Sequence, residues 1–392
     1  MTGFGNNRRL NNEFMGDKVS IEKNVSERYA QGADQRQEAL CCPVDYDVGL
    51  LAMLPQEIID KDYGCGDPSR YVRQGDAVLD LGSGGGKICY MAAQLVGEHG
   101  KVIGVDMTDE MLALARSYQP EMAEKLGGDK VEFKKGYIQD LALDVEGLNR
   151  HLSKSPVADA ADLVNLEAYK KQQREQRPLV SSSSVSLVIS NCVLNLVDKQ
   201  YRQQMINEIF RVLKPGGRVA IADIVSDEYV PDSLQGDAEL WSGCISGAFQ
   251  EREFLQAFID AGFVAVGYDK WDEKPWQVVE GIEFRSVTLV AVKPSNEQLF
   301  DAGQAVLYKG PYSEVLDDLG NRYPRGERIA VSKRTFHLIL GGPYADDFVM
   351  MSPVEENNLG CFNLPVATTR PAKQTKGGIQ QAGSTAANQG CC

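Results

Sequence analysis

The run Ala77-Val78-Leu79-Asp80-Leu81-Gly82-Ser83-Gly84-Gly85-Gly86-Lys87 constrains this chain more than any other feature. Ala77–Leu81 has the apolar content of a buried strand, and Lys87–Val96 continues with helical periodicity. Between them the chain turns almost wholly on glycine. Glycine permits a tight turn and a close approach of backbone to a ligand, and a helix start offers unpaired N–H groups. A strand that passes through such a turn into a helix opens a βα unit with its ligand edge at the glycines.

The pattern continues downstream. Strands are predicted at Lys101–Val105, Val131–Phe133, Val185–Ser190 and Arg218–Ile224, the last behind the turn Lys214-Pro215-Gly216-Gly217. Helices are predicted at Asp109–Tyr118, with Thr108 as N-cap, at Lys199–Leu213 and at Glu251–Ala261. Val264–Tyr268 and Arg285–Val292 read as two further strands, and a short helix is placed around Val25–Ala30. Alternating strands and helices predict an α/β fold: a parallel, doubly wound, Rossmann-like sheet with helices on both faces.

Five regions follow. Residues 1–75 form an N-terminal segment with cysteine loops, and 76–228 the Rossmann-like domain. Residues 229–295 complete the sheet, 296–353 form a small α+β unit, and 354–392 read as a disordered, cysteine-ended tail. The polar stretch 141–184 is an insertion, either a solvated helical excursion centred on Ala158–Gln176 or a lid over the ligand.

Composition narrows the function. Lys+Arg 41 against Asp+Glu 55 gives a net charge of −14, against a protein that tracks phosphates, so no nucleic-acid partner is expected. Without an apolar leader or a run of roughly 18 apolar residues, the expectation is a cytoplasmic protein with no membrane partner. The nine cysteines, an odd number, do not read as a secreted disulfide framework. Cys89 sits in an apolar helix pattern and reads as core. The pairs Cys41–Cys42 and Cys391–Cys392 lie in polar sequence, where reduced thiols serve redox or soft-ion chemistry.

A glycine turn alone could cradle a diphosphate. Asp80, just before the glycines, would repel one and suits an ammonium instead. Asp106 ends Val102-Ile103-Gly104-Val105-Asp106 with a carboxylate placed for a ribose diol. The combination resembles the first two motifs of class I methyltransferases, which use S-adenosyl-L-methionine. That resemblance assigns to the cofactor Tyr63, Asp80, Gly82, Ser83, Gly84, Asp106, Met107 packed on the adenine, Tyr137 and Ile138 beside it, and Asn191 at the fourth strand's end.

Three cysteines lie where they would converge on that cleft: Cys65 in Asp62-Tyr63-Gly64-Cys65-Gly66, Cys192 in Ser190-Asn191-Cys192-Val193-Leu194-Asn195-Leu196, and Cys244 in Trp241-Ser242-Gly243-Cys244-Ile245-Ser246-Gly247. Three convergent thiolates suit a thiophilic ion. With GKVIGVDMTDEML, RVLKPGGRV and IEFRSVTLVAVK, these segments resemble the arsenite methyltransferases, from about Cys41 to Pro353 with the insertion outside. The resemblance implies that arsenite, delivered as a thiol complex, binds Cys192 and Cys244 with help from Cys65. It also implies that its lone pair attacks the cofactor methyl. A disulfide between Cys65 and Cys41 or Cys42 would then form as the product is reduced, with thioredoxin or glutathione resetting it. For Cys361, Cys391 and Cys392, a metalloid-trapping tail and plain exposed thiols both stand open.

The chain departs from that family in four places. Lys87-Ile88 replaces the usual Arg-Asp after the glycines. Gly243 stands where the segment's acid would be, Ser186 where the fourth strand opens on an acid, and Cys41-Cys42 where one relay cysteine would be. Two other functions therefore stay open: methylation of another small metabolite, and sequestration of soft ions by a thiol-rich protein.

Overall fold

A computed structural model describes residues 20–34, 44–295, 299–342, 344–353 and 359–375. Cys41, Cys42, Cys391 and Cys392, and the redox and tail roles assigned to them, lie outside the described residues. The chain divides into two compact units, Met1–Pro294 and Ser295–Cys392.

The first unit is built on a sheet whose main strands are β1 (Ala77–Leu81), β2 (Lys101–Asp106), β3 (Val131–Lys135), β4 (Val185–Asn191), β5 (Leu213–Ser226), β6 (Val264–Trp271) and β7 (Ile282–Val292). They stand in the order β3-β2-β1-β4-β5-β7-β6. The first five are parallel, as expected, but β7 runs antiparallel to both β5 and β6, so the sheet is mixed. Apolar runs cannot tell these cases apart, because β7 is as buried as a parallel strand. The same pairing merges the separately predicted regions 76–228 and 229–295 into one unit.

Alternate strand residues feed opposite faces, as the two-residue period requires. Leu79, Leu81, Val188, Val219 and Ile221 enter a core beneath the helices Arg202–Val212 and Glu251–Asp260. Val78, Val102, Leu187, Ile189 and Ala220 enter another beneath the helix Lys87–Leu95. Helices therefore cover both faces. The predicted turn Lys214–Gly217 is absorbed into β5 as a bulge, between the pairs Val185–Leu213 and Leu187–Arg218. Ser186, in place of an acid, bonds Asp76 at 2.7 Å, and Asp76 pairs with Arg218 at 2.6 Å.

The insertion folds as two helices, Val145–Lys154 and Ala160–Gln176. Arg174 pairs with Asp140 at 2.7 Å and His151 stacks on Tyr169, which hold it to the body of the unit and to itself. Most of the second helix is exposed. Among the described residues no helix is long and apolar enough to cross a membrane.

The second unit pairs Ala305–Tyr308 antiparallel to Arg328–Ala330 and to Phe348–Met351, with the helix Lys333–Gly341 beside them. Residues 359–375 depart from the expectation of a disordered tail starting at 354. They are tied in by backbone bonds from Ala330 to Thr368 and from Arg370 to Arg328, and by a buried pair between Arg370 and Asp301 at 2.8 Å.

Candidate active site

The chain reverses direction across the sheet between β1 and β4, and ligands of open α/β sheets bind at that switch, beyond the strands' carboxyl ends. A cavity opens there. Of the residues assigned to the cofactor, Asp80, Gly82, Ser83, Gly84, Asp106, Met107, Ile138, Asn191 and Tyr63 line it. Tyr137 does not. Its turn is bridged to Asp140 and presents Gly136, Ile138 and Gln139 to the cavity instead.

Gly82 follows β1 at φ +69°, and a Cβ there would stand 2.5 Å from a Val193 methyl, so the turn leaves no room for a side chain. Asp106 accepts from the Gly84 N–H at 2.9 Å and the Thr108 N–H at 2.8 Å, which aims its carboxylate along the cavity wall. Burial pushes its pKa up against those bonds. Thr108 holds the N-cap position of Asp109–Ser117, but its hydroxyl bonds Asp106 and caps no helix amide.

Asp80 is buried, with Cys89 donating to it at 3.2 Å. Cys89 is core, as expected, with this added task. Burial pushes the Asp80 pKa up to about 8. The Ser83 hydroxyl is also buried without a hydrogen-bond partner. A carboxylate and an orphan hydroxyl on one cavity wall fit the ammonium and carboxylate of an amino-acid moiety. The residues present therefore fit the expected cofactor.

The thiols lie alongside. Cys65, Cys192 and Cys244 are all buried in one apolar cluster with Val25, Ile245 and Phe284, against which Met107 of the cavity packs. The Cys192 thiol is within hydrogen-bonding reach of those of Cys65 and Cys244, and these neighbours, Cys244 first, hold its pKa well up. Burial raises that of Cys65. Cys244 Sγ also lies 3.2 Å from the Cys192 carbonyl. Cys192 and Cys244 both adopt left-handed backbone, at φ +63° and +62°. Non-glycine residues rarely take that region, and where they do the surrounding structure enforces it.

The turn that follows Cys192 is fixed by a residue the motifs did not mark. Asp223 in β5 is fully buried, and its carboxylate lies within 4.8 Å of both Cys65 and Cys192 Sγ. It accepts from the Leu194 N–H at 2.9 Å, the Ile224 N–H at 2.8 Å, the Asn195 side chain at 2.8 Å and, more weakly, the Asn195 N–H at 3.4 Å. Its pKa is raised by burial to about 7. An acid in the apolar run Val219–Ser226 is the signal that could have found it.

Cys65 is placed from the other side. Asn191 Oδ1 accepts the N–H groups of Cys65 at 2.9 Å and Gly66 at 3.0 Å, so its amide braces the cysteine loop as well as lining the cavity. Gly64 is obligatory there, since a Cβ would stand 2.0 Å from the Asn191 amide. The Asn191 amide also donates to Tyr46 at 3.2 Å. Lys87, the odd residue after the glycines, is buried over the Tyr46 ring and pairs with Asp62 at 2.8 Å. Lys87 thus clamps the segment leading into the Cys65 loop.

Asp80 and Asp223 set a pH dependence. Both have folded pKa values above the ordinary carboxylate value of about 4, so the ligand-free fold binds more protons than the unfolded chain up to about 8 and about 7. Their contribution to stability is complete at low pH and is lost as pH rises through that window. An ammonium placed against Asp80 favours the carboxylate, so its binding near neutrality releases a proton. Melting temperatures of ligand-free protein should fall from about pH 5 to about pH 8. Calorimetry in buffers of different ionisation enthalpy should show proton release on cofactor binding; proton-neutral binding would contradict this account of Asp80.

Known proteins are similar over the same regions. The family described as "Methyltransferase domain" matches residues 73–262, and one described as a domain of unknown function (DUF8838) matches 295–380. The arsenite methyltransferase of Aquipseudomonas alcaligenes is 28% identical over 83% of this chain and 88% of its own length. That of Mus musculus is 28% identical over 83% of this chain and 78% of its own. The crystal structure of an arsenic(III) S-adenosylmethionine methyltransferase from Chlamydomonas reinhardtii superposes with a TM-score of 0.53 at 28% identity, covering 80% of this chain and 98% of that one.

Proposed function

Because this chain belongs to the arsenite methyltransferase family of S-adenosylmethionine-dependent enzymes, we propose that it methylates trivalent arsenic held as a thiolate by Cys65, Cys192 and Cys244. The observation that carries this reading is the three buried thiols packed against Met107 of the cofactor cavity. The bound cofactor supplies a sulfonium methyl group: the arsenic lone pair forms the As–C bond as the S–CH₃ bond breaks and its electron pair returns to sulfur.

The protein has three tasks here. Asp80 and Ser83 take the cofactor's amino-acid end and Asp106 its diol, with Met107 and Ile138 at the ring. The thiols take the metalloid. Cys65 and Cys192 are held in the thiol form, so each gives up a proton as it takes the metalloid. In each exchange a Cys–S–As bond forms, an RS–As bond breaks, and the cysteine proton leaves with the small thiol. The apolar cluster then excludes water from the line of transfer.

Reduction of the pentavalent product takes two electrons from two thiols, which become a disulfide. Cys65 with Cys41 or Cys42 is the pair proposed, reset by a thioredoxin- or glutathione-class thiol, and the reaction is placed in a reducing cytoplasm.

Pure protein given labelled cofactor, a small thiol and arsenite should yield labelled methylarsenic species. Arsenite bound without methyl transfer would replace this reading with sequestration. Label appearing only on an organic acceptor would replace it with metabolite methylation.

A further inference from the structure

The helix Ser20–Asp34 lies on the site, although no motif in it points there. Val25 is buried in the cluster that holds the three thiols and also lines the cofactor cavity. Tyr29, four residues on and so on the same helix face, is half-buried, packs against that cluster and lines the cavity too. Its ring stands edge-on to Tyr63 with centroids 6.1 Å apart, and the Tyr63 hydroxyl donates to the Gly32 carbonyl at 3.0 Å. The helix is also tied to the Cys244 turn. Arg28 Nη1 donates to the Glu239 carbonyl at 2.7 Å and to the Ser242 hydroxyl, both just before that cysteine. A Cβ on Gly243, where the acid is missing, would stand 4.0 Å from the same nitrogen. Arg28 thus holds this turn through a carbonyl and a hydroxyl.

We propose that Tyr29 is a positioning residue for methyl transfer, its ring forming the wall shared by the cofactor cavity and the acceptor thiols, with Arg28 fixing the helix that carries it against the Cys244 turn. This rests on the function proposed above. The ring sets the approach of acceptor to methyl and keeps water from the line between them. An aromatic face is also a favourable neighbour for a sulfonium cation. The phenol is no base here, because burial, then Cys244 and Cys192, push its pKa well above the ordinary value. The function of the ring is spatial, so phenylalanine should replace it.

The test compares Tyr29→Phe and Tyr29→Ala in the full chain for turnover, cofactor affinity and arsenite binding. Tyr29→Phe should keep kcat within about threefold, while Tyr29→Ala should lower kcat at least about tenfold and weaken cofactor binding about fivefold. Arsenite binding should stay within about threefold in both. Turnover of Tyr29→Ala within twofold of the unsubstituted protein overturns the proposal, and so does a Phe variant as impaired as the Ala variant. Should Tyr29→Ala fail to fold, Arg28→Ala carries the test: the same fall in kcat is expected, and an unchanged kcat overturns it. If the unsubstituted protein shows no arsenite turnover, the function above fails while the cofactor-affinity comparison still decides the wall.

Discussion

Replacing Cys192 by serine is expected to lower kcat/KM for arsenite by at least about a hundredfold, with cofactor affinity within about threefold of the starting protein. Cys192 is the central thiol of the three, in reach of both others. Serine keeps the size and the left-handed backbone but offers a hard oxygen to a soft metalloid, a poor exchange of donor. The cofactor's groups are untouched, because Asp80, Ser83 and Asp106 approach from β1 and β2. Cys244→Ser should behave alike. Cys89→Ala is the informative control: that thiol donates to Asp80, so its loss should move cofactor affinity and leave arsenite binding alone. Steady-state kinetics with calorimetry on the three variants separates the two ligands. A Cys192→Ser enzyme of ordinary turnover would remove the thiolate mechanism.

Asp223→Ala is expected to be the most destabilising single change near the site. The carboxylate accepts from the backbone of Leu194, Asn195 and Ile224 and from the Asn195 side chain, all buried. Alanine would strand those donors at roughly 1–3 kcal/mol each, with partial relaxation. A net loss of about 3–5 kcal/mol follows, a fall in melting temperature of about 10 °C. Asp223→Asn keeps one acceptor oxygen and should lose less. Its charge is a minor part of the cost, since burial already lifts the pKa to about 7. Melting curves of the two variants check this, and equal stability of Ala and Asn would contradict the hydrogen-bond account. The surviving Asp223→Ala protein should also bind arsenite more weakly, because the turn that holds Cys192 at φ +63° is released.

The β1–glycine–helix unit was legible in the sequence because three signals coincide there: an apolar run, glycines and helical periodicity. Asp80 and Asp106 were legible because acids at strand ends beside glycines have few structural uses. The three cysteines were legible as a set, since the βα order brings strand ends to one edge. Strand direction was not, because β7 pairs antiparallel while reading as apolar as its parallel neighbours. Nor was Tyr137, whose cavity position belongs to Gly136 and Ile138 through the bridge to Asp140. Lys87 was visible only as an oddity. Its partners Asp62 and Tyr46 lie far back in the chain, and nothing in local spacing joins them. Tyr29 carried no signal at all: an aromatic on an amphipathic helix looks like any core residue until the helix is docked.

The central claim is that arsenic sits on sulfur in the cluster of Cys65, Cys192 and Cys244. X-ray absorption at the arsenic edge, on protein carrying one equivalent of arsenite with no small thiol remaining, tests it most directly. The account predicts a first shell of three sulfur atoms, with one sulfur lost in each of Cys65→Ser, Cys192→Ser and Cys244→Ser. A first shell of oxygen, or a sulfur shell that survives all three substitutions, would contradict it.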